Sequence, residues 1–183
     1  GTLAAWGWNT SGQLGNGFTA DSLTPVAVDT TGALAGKTVV TIAPGNEHLL
    51  ALCSDGKVYA WGENGNGQLG NGLNADSPTP VAVDASGTGA LSGKTVVAIS
   101  AGSEHLLALC SDGTLVAWGV NNYGQLGNGS TDDSPTPVAV KTDTGALAGK
   151  TVVAIAAGSS HSVALCRDGT RSEEHTSELQ SLS

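Results

Sequence analysis

Three histidine and cysteine pairs carry the side chains best suited to chemistry: His48 with Cys53, His105 with Cys110, and His161 with Cys166. Imidazole and thiolate are the usual ligands of zinc, and a cysteine beside a histidine is also a nucleophile beside its base. The spacing argues against both roles. Each pair stands five residues apart in an apolar run that reads as a strand, so the two side chains point to opposite faces, roughly 16 Å apart at about 3.3 Å per residue. One strand cannot bring both to one ion. A ring of equivalent histidines from neighbouring units is the metal arrangement left. The plainer expectation is a packed histidine hydrogen-bonded to backbone, with no metal and no cofactor. The cysteines read as small buried core residues, one per unit, too far apart to meet the roughly 7 Å Cα limit of a disulfide.

A second echo of chemistry is Gly36-Lys37-Thr38, repeated as Gly93-Lys94-Thr95 and Gly149-Lys150-Thr151. A phosphate-binding loop needs an earlier glycine, where this chain has Thr31, Thr88 and Thr144, and a helix afterwards, where it has β-branched runs. These are turn glycines. Every candidate group recurs in each unit, as packing residues do, and no Ser/His/Asp set stands out. No catalytic residue is expected, and the chain reads as a non-enzyme.

The elements that must position these residues repeat. The string Gly-Gln-Leu-Gly-Asn-Gly begins at Gly12, Gly67 and Gly124, intervals of 55 and 57 residues, and Trp6, Trp61 and Trp118 precede it at the same intervals. A fixed period of this length marks a modular architecture in which each unit buries its apolar faces against the next. Glycine is abundant at 27 of 183 residues, and valine-rich runs replace helical patterns. A full unit reads as four strands, at 38–43, 48–53, 57–61 and 80–83, and the next at 95–100, 105–110, 114–118 and 137–140. The run 48–53 is apolar on both faces, as in a strand packed between two layers. Asp55-Gly56 is a two-residue hairpin signal, and the proline at the head of 80–83 suits an outer edge. The fold class expected is all-β: a partial β-propeller of four-stranded antiparallel blades, two complete and two partial. The boundaries fall at 1–35 for the end of a partial blade and linker, 36–92 and 93–148 for complete blades, and 149–170 for the start of a truncated one.

One unit shows the pattern in full: Gly102, His105, Ala108 and Leu109, then Asp112-Gly113, Trp118-Gly119, Asn121 and the Gly124 to Gly129 string. This closely resembles the regulator of chromosome condensation repeat family, over residues 1 to 170. The resemblance implies a propeller of usually seven blades, so the remaining blades of a longer chain count among the expected partners. Cysteine departs from the threonine-like residue the family commonly shows at that position. Residues 171–183 break the period in mid-hairpin and resemble a translated sequencing adapter, a non-native tail excluded from fold reasoning.

Composition narrows the function classes. A net charge of −9 leaves no basic footprint for phosphates, so nucleic acid is not an expected partner. No run of 18 apolar residues is present, so no membrane-spanning helix is expected. Trp6, Trp61 and Trp118 are expected to fill the space between blades, while Leu14, Leu69 and Leu126 plug each blade from its loop. Where copies differ, a binding surface is expected, because repeat proteins present variable loops on a fixed scaffold. Trp8, Phe18 and Tyr123 are the candidate anchors for a protein partner, being aromatic where other copies carry small, polar or aliphatic residues. The expected function is a protein-binding scaffold. Near-identical blades of Thr/Ala/Gly/Asn composition look more like the family's bacterial surface or secreted members, which makes such a setting the expectation. The resemblance implies two alternatives: an exchange-type regulator of a small GTPase, or a non-catalytic domain of a larger enzyme.

Overall fold

A computed structural model describes residues 2–167. The tail at 171–183 and the last hairpin turn lie outside the described residues. Among the described residues twelve strands form four antiparallel sheets, each a simple meander. The first holds β1 (Ala4–Gly7) and β2 (Ser22–Ala27), and the second β3 (Val39–Pro44), β4 (His48–Cys53), β5 (Val58–Gly62) and β6 (Ser77–Ala82). The third holds β7 (Val96–Ala101), β8 (His105–Cys110), β9 (Leu115–Gly119) and β10 (Ser134–Ala139), and the fourth β11 (Thr151–Ala157) and β12 (Ser162–Arg167). Two complete blades thus lie between two half-blades. The first half-blade supplies a third and fourth strand, the last a first and second.

The sheets stack because both faces of each are apolar and each face meets a different neighbour. From the second blade, Leu50, Leu52, Val58 and Ala60 join Leu106, Ala108, Cys110, Val116 and Trp118 of the third in one buried cluster. The alternate residues turn the other way: Ala51 and Trp61 pack with Leu3 and Ala5 of the first unit, and Cys53 and Tyr59 with Leu34. On the far face of the third blade, Leu107, Ala117 and Leu126 meet Ile155 and Ala157. The first strands β3, β7 and β11 touch in succession, which wedges the blades together on that side. Each fully buried leucine adds about 1.5–3 kcal/mol.

Two local expectations change. The outer strands β6 and β10 start three residues earlier than expected, at Ser77 and Ser134, and so contain two prolines each. Being edge strands they need no outward donor, and the carbonyls of Pro78 and Pro135 accept from Gly17 and Gly72 of the preceding loop, both at 2.9 Å. At 53–57 the turn is longer than a two-residue hairpin. Gly56 alone takes positive φ, at 75°, and Asp55 instead holds the Lys57 amide at 3.1 Å and the Lys37 ammonium at 2.7 Å. The third blade repeats this with Lys94 and Asp112 at 2.6 Å. Lys37 and Lys94 therefore tie one turn to another within a blade, and hydrogen bonding to Lys94 first of all pulls the Asp112 carboxyl far below its usual range.

Candidate functional site

The loops between the third and fourth strands are built around a buried asparagine. Asn64 is inaccessible to solvent. Its side-chain amide donates to the carbonyls of Leu73 at 2.9 Å and Ala75 at 3.0 Å, while its oxygen accepts the Leu69 amide at 2.9 Å. Its own backbone N–H donates to the Asp76 carboxylate at 2.8 Å. Asn9 with Asp21, and Asn121 with Asp133, make the same knot. A buried amide with every group paired fixes the loop backbone. Leu14, Leu69 and Leu126 are buried beneath it. Gly15, Gly70 and Gly127 stand at φ of 66°, 62° and 60°, a region closed to most side chains.

The loop also closes the junction to the next blade. Trp61 and Trp118 are 1% and 0% exposed, and their indole N–H groups donate to the carbonyls of Gln13 at 3.0 Å and Gln68 at 2.9 Å in the preceding loop. A Cβ on Gly15 or Gly70 would lie 2.6 or 2.7 Å from the indole nitrogen, so the ring needs glycine there. Trp6 differs from the expected packing role: it is 63% exposed, with no loop over it among the described residues.

The histidines sit at the start of the second strand, facing the opposite junction from their cysteines. His48 and His105 are buried, and His161 is exposed. Gly45 and Gly102 leave the space their rings occupy, since a Cβ at either would overlap the imidazole. Backbone hydrogen bonding in its own or the next blade was the expectation; neither ring nitrogen of His48 has a partner among the described residues, whereas His105 Nε2 meets the Ser162 hydroxyl of the next blade at 3.0 Å and the ring is also influenced by the His161 backbone there. Burial first, then the nearby His105, lowers the His48 pKa to about 4, so the ring is neutral at ordinary pH. Burial also pushes the Cys110 thiol up to about 11, which suits core packing rather than nucleophilic attack. Among the described residues no group of three or more His, Cys, Asp or Glu side chains is placed to hold a metal ion.

What the loops present outward is mixed. Trp8 and Phe18 are exposed on one loop, where the Phe18 carbonyl is bound by Asn9 next to Trp8. Tyr123 is exposed on the equivalent loop two units further on. Between them lie carboxylates that sequence reasoning did not single out. Burial, then the charges of Glu47, Glu104 and Asp76, push the Glu63 carboxyl up. Glu47 accepts from the Ser11 hydroxyl at 2.8 Å and Glu104 from the Asn66 amide at 3.4 Å, linking each loop to the next blade's first hairpin. The signal was available: Glu47 and Glu104 directly precede their histidines, where the last unit has Ser160.

Comparison with known proteins agrees with this geometry. The family model for the regulator of chromosome condensation (RCC1) repeat matches residues 1–52, 55–109 and 112–165. Each match begins at the third strand of one blade and ends in the second strand of the next, half a blade out of step with the sheets. The chain is 40% identical over 141 residues to the ultraviolet-B receptor UVR8 of Arabidopsis thaliana, covering 77% of this chain and 30% of the receptor. It is 36% identical over 163 residues to the human E3 ubiquitin-protein ligase HERC2, covering 89% of this chain but 3% of the ligase. These relatives are eukaryotic, and they lend no support to a bacterial surface or secreted setting. Among solved structures, Prp20p from Saccharomyces cerevisiae superposes with a TM-score of 0.78 at 22% identity, over 93% of this chain and 40% of that one. Human WBSCR16 gives 0.52 at 23% identity, over 92% and 54%. The chain belongs to the regulator of chromosome condensation repeat family and folds as part of its β-propeller.

Proposed function

We propose that this stretch of propeller is a protein-binding scaffold whose partner docks on the loop face. The observation that carries the reading is the loop construction: the buried Asn9, Asn64 and Asn121 hold the backbone rigid while Trp8, Phe18 and Tyr123 stand exposed on it, with Glu63 of the same loops beside Glu47 and Glu104 of the neighbouring first hairpins. Rigid aromatic anchors beside like charges favour a partner segment that offers cations and apolar side chains together. Prp20p, of similar fold, has been solved in work on its binding to Gsp1p and histones, and with Kap60, all protein partners. The related ligases place their repeats in far longer chains, which suits a non-catalytic recognition role. The test is affinity capture on the immobilised full chain, beside a Trp8→Ala/Phe18→Ala/Tyr123→Ala variant of unchanged circular dichroism. Proteins bound by the wild type and lost by the variant, with retention falling as salt rises, support the scaffold. Equal retention by both moves the site off these loops.

A further inference from the structure

Three departures from the repeat fall on one cavity. It opens between the second and third blades with a volume of about 520 Å³, within the roughly 300–1,000 Å³ of clefts that hold small ligands. Its floor is Val58, Val83, Leu91 and Val96, buried side chains of the cluster that joins those two blades. The first departure is Lys57, which stands where the neighbouring units have Thr2 and Thr114. The second is Tyr59, where they have Ala4 and Val116. The third is the connection at 84–94, two residues longer than its counterpart at 29–37, which lays Ala85 and Ser86 against the wall. Stacking requires none of these, since the other units stack without them. We infer that this cavity binds a small carboxylate with an apolar body. The assignment lies away from the loop aromatics and does not rest on the docking reading.

The floor takes the apolar body out of water, and the lysines select the charge. Lys37, Lys57 and Lys94, three of the chain's seven basic side chains, line the cavity of a protein whose net charge is −9. Lys37 and Lys94 each hold one aspartate, Asp55 at 2.7 Å and Asp112 at 2.6 Å, and an ammonium has three N–H groups to give. Asp55 first, then Tyr59 beside it, push the Lys37 pKa up, so this group stays charged. Lys57 is exposed and makes no ion pair among the described residues, so its ammonium is the one best able to close on an incoming anion. The one carboxylate in the wall, Asp84, is turned onto the Ser86 amide at 2.8 Å and hydroxyl at 2.6 Å. Counting Asp55, Asp84 and Asp112 against the three lysines leaves no surplus charge for a polyanion. A single carboxylate is what the site can neutralise.

Calorimetric titration of the full 183-residue chain with octanoate, followed in parallel by methyl NMR, tests the assignment. Octanoate is expected to saturate one site and to shift the methyl signals of Val58, Val83 and Val96. It should bind about tenfold more tightly than 1-octanol or octylammonium, the difference that a charge-assisted hydrogen bond makes. Lys57→Thr and Tyr59→Val install the third blade's own residues, so melting stays near that of the wild type. Each is expected to weaken octanoate by about fivefold or more, and Lys57→Thr should leave 1-octanol unaffected. Absence of saturable binding, equal binding of the three amphiphiles, shifts at Val163 and Leu165 in place of the cavity methyls, or full affinity in either variant would each overturn the proposal.

Discussion

Between the second and third blades the loop at 67–72 is roofed by Trp118; between the third and fourth the identical string at 124–129 has no tryptophan above it among the described residues. The loops nonetheless keep one shape. Leu69 and Leu126 are both fully buried, and Gly70 and Gly127 differ by 2° in φ. At the second site the hydroxyl of Ser162 donates to the Gln125 carbonyl at 2.7 Å, where Trp118 reaches Gln68 at the first. The asparagine knot shapes the loop, then, and the tryptophan joins blades without shaping it.

The largest effect should come from removing the roof where it exists. Trp118→Ala is expected to cost about 3–5 kcal/mol in urea unfolding at low concentration, as for a buried aromatic, against less than about 0.5 kcal/mol for the exposed Trp6→Ala. Equal costs would mean that the ring does not join the blades. Next, Asn64→Ala and Asn121→Ala should each cost about 3 kcal/mol by stranding the loop's buried donors and acceptors, and the two costs should match despite the difference in roof. A much smaller cost at Asn64 would show that Trp118 holds the loop after all. The smallest effect is pH dependence at the complete junction. With the folded pKa of His48 at about 4 and the ordinary value at 6.5, the unfolded chain binds more protons between them. The contribution of a neutral His48 is therefore complete above pH 6.5 and is lost as pH falls toward 4, by about 2–3 kcal/mol. Melting profiles of wild type and His48→Gln should diverge in that window; parallel profiles would place the imidazole in contact with solvent.

Much of the fold was legible because its signals are local. The run 48–53 announces a doubly packed strand by being apolar at every position after His48, and β4 spans those residues. The outer strand was read three residues short because Ser77-Pro78-Thr79 looks like loop; only its place at an edge, which is not local, lets two prolines join a ladder. The Asn64 to Asp76 bond escaped notice for the same reason: its partners are 12 residues apart, and neither type alone signals a buried knot. Trp6 could not be placed from its neighbours in sequence, since its burial depends on a loop outside its own unit. The carboxylates around Glu63 come from three hairpins and become a cluster only when blades stack.

The half-blade offset between the family repeat and the sheet bears on how such a chain can change length. A gene segment copied in the repeat's own frame carries two strands of one blade, the loop, and two strands of the next. It therefore inserts a whole seam, with loop glycine and roofing tryptophan each supplied to a neighbour that already expects it. Every strand in the longer chain still finds the place in a four-stranded sheet that it has now. Lengthening and shortening by single repeats are in this way neutral to pairing within each blade.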